Sequence, residues 1–484
     1  MSLSRRKSLD ALLLRASHSH LKRTLTAKSL VALGIGAIIG AGLFVRTAAA
    51  SSQAAGPAVT LSFVIAAIGC TFAGLCYAEF ASMIPIAGSA YTYAYTTMGE
   101  LVAWIIGWAL ILEYALGAAT VAIAWSEYLN KLLQQMGGGP VPYALSHSPF
   151  EGGILNIPAL AILLIITALL VKGIEESANV NAIIVAVKVS IVIVFIAIGW
   201  SFVNPANHTP FLIPANIPGH GAWNQHGWGG VLGGAGIVFF AFIGFDAVST
   251  AAQETVNPGR DMPRGILGSL AICTVLYVLF GYVLTGVANW REFAMAGKEG
   301  SVAYAVQAHM PGFGWLAVAI TIAILFGFSS VILVMLLGQS RVFYTMSEDG
   351  LLPDLFSDIH PRFKTPYKSN IVLFFFVGCF AAFVPESVAG NLTSVGTLFA
   401  FVLVSIGIVI MRRLEPNQRR PFRTPLVPVV PILGALVCGA MIAGLDTTTL
   451  ITAFCWMVIG LIIYFAYSKT HSKLAAGDAI SKNA

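Results

Sequence analysis

The chain has 484 residues, of which 57% are hydrophobic and only 10% are charged, and its formal net charge is +6. Soluble globular domains carry about 25% charged residues, so this composition excludes a soluble globular protein. It predicts an all-α polytopic membrane protein instead.

The apolar residues form runs long enough to cross a bilayer, which takes about 20 helical residues. We predict twelve transmembrane helices, at residues 29–53, 57–83, 99–130, 155–172, 179–203, 228–254, 264–289, 313–338, 369–386, 391–411, 426–445 and 449–467. Tails precede and follow them at 1–28 and 468–484. The first tail predicts a short interfacial helix around Leu12–Leu14, with disorder as the open alternative.

Positive charge is concentrated on one side of the predicted membrane. Most of the 27 Lys and Arg residues lie in the tails and in the connecting segments on the same side. The positive-inside rule then predicts a multi-pass protein of the cell membrane, plasma or inner, with both termini cytoplasmic. The net positive charge follows from this excess of Lys and Arg on the cytoplasmic side, so we expect no nucleic-acid partner. The six cysteines lie in apolar runs without metal-site spacing, and we predict no metal or cofactor.

Residues 34–44, GIGAIIGAGLF, lie in the middle of the first apolar run and include four glycines. Each glycine inside a helix costs about 0.5–1 kcal/mol relative to alanine, so the helix breaks easily here. In hydrocarbon, broken backbone is tolerated only where its polar groups line a cavity or meet a ligand. We therefore predict a binding site made of main chain. A helix-packing face formed by Gly36 and Gly40 is the open alternative.

A second interruption lies at the matching place in the other half of the chain. Residues 236–244 read GIVFFAFIG and are followed by Phe245 and Asp246. Paired interruptions of this kind are a sequence indication of a transporter's substrate site.

Two inside segments are also distinctive. Tyr91, Tyr93 and Tyr95 lie in the loop at 84–100, and we predict that they either form an interfacial aromatic belt or stack on a ligand. The polar segment at 338–367 predicts short amphipathic helices at the inner surface.

Three ionisable residues lie within the spans. Glu113 is in the third, Lys188 is in the fifth, and Asp246 follows the second interruption. Such a group costs at least ~2.5–3.5 kcal/mol on insertion scales, which makes it functional by default. Lys188 is the leading candidate for proton coupling, because burial disfavours a charged ammonium. The alternative for Lys188 is a structural partner of Glu113 or of backbone carbonyls, and for Asp246 it is a helix cap.

Four motifs in chain order resemble one family: GIGAIIGAGLF, FFAFIGFDAVSTAAQETVNP, GQSRVFYTMSEDGLLP with HPRFKTPY, and RRPFRTPLVPVVP. They are similar to the bacterial cationic amino acid transporter (CAT)-like permeases of the amino acid–polyamine–organocation (APC) superfamily. The resemblance implies a LeuT-like fold of two inverted five-helix repeats, at 29–203 and 228–411, with helices 1 and 6 broken. Two extra helices follow at 426–467.

The resemblance also implies a role for each break. The substrate carboxylate meets N–H groups of the first break, and its ammonium meets carbonyl oxygens of both. Carried onto this sequence, the N–H groups belong to Gly40, Ala41 and Gly42, and the carbonyls to Ile38, Ile39, Phe240, Ala241 and Ile243. Helix ends carry partial charges of opposite sign, which suits a zwitterion.

Lys188 matches a lysine that family members without sodium dependence place between spans one and eight, where sodium-driven relatives hold an ion. This implies proton coupling or ion-independent exchange, with Ser329 and Ser330 keeping sodium open. Glu113 and Asp246 are the other candidate coupling groups.

Selection among amino acids is expected from side chains that line the pocket. Glu113 is the polar candidate, and the apolar candidates are Phe240, Phe245, Phe326 and Phe328. This lining favours a small or medium neutral L-amino acid over arginine, and a broad specificity that extends to cationic amino acids stays open.

We therefore predict a secondary active transporter, not an enzyme, that takes up amino acids with protons by alternating access. An amino acid exchanger is the nearest alternative and a membrane amino acid sensor a remote one. A channel is disfavoured because the sequence has no repeated filter or charged ring. The expected partners are the amino acid, protons and the lipid bilayer, with a small membrane partner or a homodimer through residues 426–467.

Overall fold

The computed structural model describes residues 5–7, 24–84, 89–173, 178–215, 223–294 and 302–474. Within these ranges the chain is almost entirely helical, and its only extended pairing is an isolated bridge between Leu25 and Thr255. The all-α prediction is confirmed. The predicted interfacial helix around Leu12–Leu14 lies outside the described residues.

The helices of eight or more residues are numbered here in chain order. They are α1 (Ala27–Ile38), α2 (Val59–Met83), α3 (Ser89–Thr97), α4 (Glu100–Ile111), α5 (Gly117–Gln135), α6 (Ile157–Lys172), α7 (Ala178–Gly199), α8 (Gly227–Val238), α9 (Pro258–Val287), α10 (Val302–His309), α11 (Gly314–Glu348), α12 (Tyr367–Phe383), α13 (Glu386–Leu414), α14 (Val429–Ala443) and α15 (Thr447–Ile463). A π-helical turn, Leu112–Leu116, joins α4 to α5.

Apolar helices of membrane-crossing length dominate the fold. Among the described residues, eight helical segments are long and apolar enough to cross a membrane, and α1, α6, α12 and α14 are shorter apolar helices. These segments fall on the predicted runs. The count of twelve crossings, the domain boundaries and the inverted repeat remain predictions.

One connecting segment differs from expectation. Residues 339–348, which we placed in a polar segment with short amphipathic helices, continue α11 as far as Glu348. Their buried residues include Gln339, Phe343 and Met346, spaced three or four apart. One face of this extension therefore packs inward, which stabilises regular helix despite its polar residues.

The segment that contains the second interruption lies at the centre of the bundle. Its apolar window within Gly227–Ser249 is 94% buried, whereas that of Thr447–His471 is only 22% buried. Around the centre, α9 packs against α1 and α2, and α11 packs against α5 and α7. The two interruptions are thus enclosed by long helices, and the last helix lies at the periphery.

Candidate functional site

The first interruption separates α1 from the helix that follows it. α1 ends at Ile38, Ile39 has an extended conformation with ψ 102°, and helix resumes with a π-helical turn at Gly42–Arg46. The last C=O groups of a helix have no intrahelical hydrogen-bond partners. The first N–H groups of a helix also have none. The predicted break is therefore present, and it directs both kinds of backbone group into the bundle.

The second interruption has a different local cause. α8 ends at Val238 and passes through a 3₁₀ turn, Phe239–Phe242, to Ile243 and Gly244. Gly244 has φ +111°, a conformation that favours glycine, and a Cβ there would lie 2.9 Å from the carbonyl oxygen of Ala37. This glycine lets the second break turn sharply against the end of α1.

The two breaks touch each other. A Cβ placed on Gly42 would lie 2.2 Å from the Cα atom of Ala241, so glycine is required for this approach. The Tyr277 hydroxyl of α9 lies 3.0 Å from the carbonyl oxygen of Ile38 and 2.9 Å from that of Ala241. One hydroxyl proton can be donated to only one of them at a time. Carbonyl oxygens of both breaks therefore converge around a single donor.

A small cavity of about 10 Å³ lies beside this contact. Its lining comes from both breaks and from α1, α5 and α11: Ala37, Ile38, Gly40, Ala41, Gly42, Gly117, Val121, Phe240, Ile243, Val331 and Met335. Six of the ten predicted substrate-binding residues are in this lining, namely Ile38, Gly40, Ala41, Gly42, Phe240 and Ile243. Ile39 and Ala241 are buried beside them in the same two breaks.

Two predicted substrate-binding residues, and two further phenylalanines, lie away from the lining. Phe328 packs against Phe44 and Tyr128, and it is not among the residues that line the cavity. Glu113 is buried in the π-helical turn but is not among the lining residues. Phe245 packs against Tyr77 and Phe401. Phe326 is 66% exposed on the outer surface, so our expectation that it lines the pocket was wrong.

Lys188, on α7, lies between α1 and α11, which correspond to the first and eighth predicted spans. It is 2% exposed, and its Nζ donates to the carbonyl oxygen of Gly36 at 2.9 Å. Gly36 is in the last turn of α1, where carbonyls lack intrahelical donors. A Cβ on Gly327 of α11 would lie 2.6 Å from Cε of Lys188, so the side chain runs along this glycine. The hydroxyl of Ser329 donates a hydrogen bond to the carbonyl oxygen of Leu325 in its own helix.

Glu113 and Asp246 belong to a separate buried polar cluster. The Tyr114 hydroxyl donates to Oδ2 of Asp246 at 2.6 Å, and the Glu113 carboxyl lies within electrostatic reach of Asp246 and Thr397. Neither oxygen of Glu113 has a hydrogen-bond partner among the residues that the structure describes. Asp246 is the N-cap residue of the short helix Ala247–Thr250, as the cap interpretation predicted, but its side chain makes no capping hydrogen bond to that helix as described. The cluster places two carboxyl groups near each other in the interior of the bundle.

The three tyrosines of the inside loop are internal. Tyr91, Tyr93 and Tyr95 are at most 1% exposed. Tyr91 donates to Asp349, Tyr93 stacks on Phe80, and Tyr95 donates to Glu100. Neither an interfacial belt nor ligand stacking describes them, because α3 folds back into the bundle.

Sequence inspection missed three residues that define the site. Tyr277 and Gly327 lie in uninterrupted apolar helices, and Tyr114 lies in the π-helical turn after α4. None of the three belongs to a motif. A hydroxyl at mid-span was the available signal for the tyrosines, because a buried hydroxyl requires a partner. Gly327 carried no such signal, since its importance depends on Lys188 reaching it from another helix.

Comparison with known proteins gives this geometry a context. The sequence pattern of the amino acid permease family matches residues 25–476. The branched-chain amino acid permease BcaP of Bacillus subtilis is 44% identical over 98% of this chain and 99% of its own length. The methylthioribose transporter of Bacillus subtilis is 39% identical over the same shares. The vacuolar cationic amino acid transporter 4 of Arabidopsis thaliana is 34% identical over 86% of this chain and 68% of its own length.

Proposed function

Because this chain belongs to the amino acid permease family, we propose that it takes up a small or medium-sized neutral L-amino acid together with protons. Membership of this family establishes amino acid transport across a membrane. It also confirms the resemblance to the APC superfamily. The substrate within that class, the coupling ion and the mechanism are the content of the proposal.

The lining of the cavity is the observation that carries the substrate assignment. It combines main chain from two broken helices with the side chains of Val121, Phe240, Ile243, Val331 and Met335. None of the described residues that line it has an ionisable side chain. A backbone site recognises the α-amino and α-carboxyl groups that all amino acids share. A cationic side chain buried against this wall would lack a partner, which is unfavourable.

The names of two relatives agree with an apolar substrate side chain. BcaP of Bacillus subtilis and BcaP of Lactococcus lactis, 34% identical over 96% of this chain, are both named branched-chain amino acid permeases. Valine, leucine and isoleucine are therefore the first substrates to test. The relatives named for cationic amino acids make lysine and arginine the necessary comparison.

Two groups of residues support proton coupling. Lys188 binds a carbonyl that the first break leaves without an intrahelical donor, so a change in its protonation alters the contact with that break. Glu113 and Asp246 lie together beside the second break and supply carboxyl groups for the same purpose. Alternating access then couples both groups to rocking of the broken helices against α9 and α11.

The test is uptake by the purified chain in proteoliposomes. Labelled leucine, valine, alanine, lysine, arginine and methylthioribose are each offered with an inward proton gradient, with a sodium gradient, or with neither. We expect a neutral amino acid to accumulate above equilibrium with the proton gradient alone.

Each other outcome contradicts a stated part of the proposal. Movement of label only against preloaded amino acid identifies an exchanger. Accumulation driven only by sodium removes Lys188 and the carboxyl pair as proton-coupling groups. Preference for lysine or arginine, or for methylthioribose, shows that the lining does not determine the substrate as argued.

A further inference from the structure

A second and much larger cavity lies away from the two breaks, at the beginning of α9. It is an open groove of about 910 Å³ between the first turns of α9 and the segment that follows α13. We call it the α9 groove. Its lining residues are Val256, Asn257, Pro258, Gly259, Arg260, Pro263, Arg264, Leu267, Arg419, Pro421 and Phe422.

The α9 groove is basic. Arg260, Arg264 and Arg419 line it, and its described lining contains no acidic residue. Arg260 pairs with Asp261 at 2.9 Å, whereas Arg264 and Arg419 form no ion pair with any acidic residue that the structure describes. Two uncompensated guanidinium groups therefore face a shared space, and guanidinium matches the geometry of phosphate oxygens.

The wall that carries Arg419 is fixed in place. Glu79, buried at the end of α2, accepts hydrogen bonds from Arg412 and from the backbone N–H of Thr424, and lies 3.3 Å from Arg420. Pro421 packs so closely on α9 that a Cβ on Gly259 would lie 2.7 Å from it. The groove is thus held by contacts on both sides of Arg419.

An exposed apolar surface of α9 continues from the groove. Along α9, Arg260 and Arg264 share one helix face with the exposed apolar side chains of Ile272, Val275 and Leu279, which are 42%, 60% and 37% exposed. Helical rise places Arg264 and Ile272 about 12 Å apart along the axis. If α9 crosses the membrane as predicted, the arginines therefore lie at headgroup level and the exposed apolar side chains face the acyl chains.

We propose that the α9 groove binds the headgroup phosphate of an anionic phospholipid, whose acyl chains lie along α9. The uncompensated arginines take the phosphate, and the prolines, Leu267 and Phe422 contact the glycerol and the upper acyl chain. Basic pockets between helices on the cytoplasmic side of membrane proteins recognise anionic lipids by this chemistry. A free phosphate would contact the arginines but neither the apolar wall of the groove nor the exposed apolar side chains of Ile272, Val275 and Leu279.

The test measures lipid binding to delipidated protein in a neutral detergent, by native mass spectrometry. Dioleoylphosphatidylglycerol, dioleoylphosphatidylcholine and inorganic phosphate are added separately to the wild type. The groove variant is Arg264→Gln with Arg419→Gln, and the matched control is Arg362→Gln with Arg413→Gln, two exposed arginines outside the groove.

We expect the wild type to bind phosphatidylglycerol in preference to phosphatidylcholine. The groove variant should bind phosphatidylglycerol about 25-fold more weakly, because each of the two arginines beside an anionic headgroup contributes roughly a factor of five. The control pair should behave as the wild type. Leu267→Trp, which fills the apolar wall without a change of charge, should also weaken phosphatidylglycerol binding.

Three results overturn the proposal. They are equal binding of the two lipids by the wild type, an equal loss of binding in the control pair and the groove pair, and displacement of phosphatidylglycerol by inorganic phosphate at comparable concentration. The first of these needs no variant, so the proposal remains testable if a substitution impairs folding. Lipid binding is measured without transport, so it is independent of the proposed substrate.

Discussion

Tyr277 links the two interruptions through one hydroxyl group. Its oxygen is about 3 Å from a carbonyl of each break, at Ile38 and at Ala241. These are two of the carbonyls we propose for the substrate ammonium. The hydroxyl and the ammonium would therefore be alternative or shared donors to the same acceptors.

Tyr277→Phe is expected to lower the thermal stability of the substrate-free protein. It leaves two buried carbonyls without this donor, which costs about 1–3 kcal/mol. An added substrate should then stabilise the variant more than the wild type, because its ammonium replaces the lost donor. Thermal unfolding with and without saturating substrate measures both effects.

The matched control is Tyr282→Phe on the same helix. The ring of Tyr282 packs against Trp200 and His208. This control variant should respond to substrate as the wild type does. Equal stabilisation of Tyr277→Phe and wild type by substrate would place the ammonium elsewhere.

Lys188 and Gly327 act as a pair. The lysine donates to Gly36, and its methylene groups occupy the space that the missing side chain of Gly327 leaves open. The charge and its position can therefore be changed separately.

Lys188→Ala should abolish proton-driven accumulation while the protein remains folded. Gly327→Ala, which retains the charge but displaces it from Gly36, should reduce accumulation about tenfold or more, since a hydrogen bond to a charged group contributes about 1.5–3 kcal/mol. Uptake with and without a proton gradient is the measurement. Lys172→Ala and Gly439→Ala are the controls, because Lys172 is exposed and a Cβ on Gly439 meets nothing within 4 Å. Normal accumulation by Lys188→Ala would remove its coupling role.

At the scale of elements, the contact between the two breaks depends on Gly42. A methyl group there would meet the backbone of Ala241 rather than a movable side chain. Backbone cannot rotate away, so the two broken helices would have to separate.

Gly42→Ala should therefore impair transport more than Gly439→Ala. Overpacking of this kind costs about 1–3 kcal/mol, and here it moves the carbonyls that converge on Tyr277. We expect a raised half-saturation concentration together with a lowered maximal rate in the proteoliposome assay. A variant with wild-type kinetics would show that the breaks need not approach this closely.

The glycine patterns predicted both breaks, but not how each is built. Glycine frequency marks where a helix is weak, and GIGAIIGAGLF did so without information from other segments. The position of Phe326 on the outer surface and the burial of Tyr91, Tyr93 and Tyr95 depend on which neighbours pack against each face. Composition and spacing do not contain that information, so these expectations failed while the motif-based ones placed six residues in the cavity.

At the scale of the whole molecule, one end of the bundle is closed by the chain's own N-terminal segment. Lys7 Nζ lies 2.5 Å from Asp349, and Tyr91 donates to the same carboxylate at 2.7 Å. The backbone N–H of Lys7 donates a hydrogen bond to the carbonyl oxygen of Tyr95, and that of Glu100 donates to the carbonyl oxygen of Arg5. Asp349, at the end of α11, therefore ties residues 5–7 to α3.

Asp349→Asn should loosen this end of the bundle. Hydrogen bonds to a charged group are worth about 1.5–3 kcal/mol, so amide hydrogens of α3 should exchange about tenfold faster or more. Hydrogen–deuterium exchange with mass spectrometry measures this. Asp354→Asn, an exposed residue of the next turn, is the control and should leave α3 unchanged. Unchanged exchange in Asp349→Asn would mean that other contacts close this end.

The cavity between the breaks, at about 10 Å³, has room for about one water molecule, far less than an amino acid requires. At the proposed site, an amino acid therefore binds only to a more expanded population of molecules, in which the two breaks lie further apart. Apparent affinity is the intrinsic affinity scaled by the fraction of molecules in that population. Substitutions far from the breaks, at Asp349 for instance, will then alter the apparent affinity for every substrate by the same factor and leave the ranking of substrates intact.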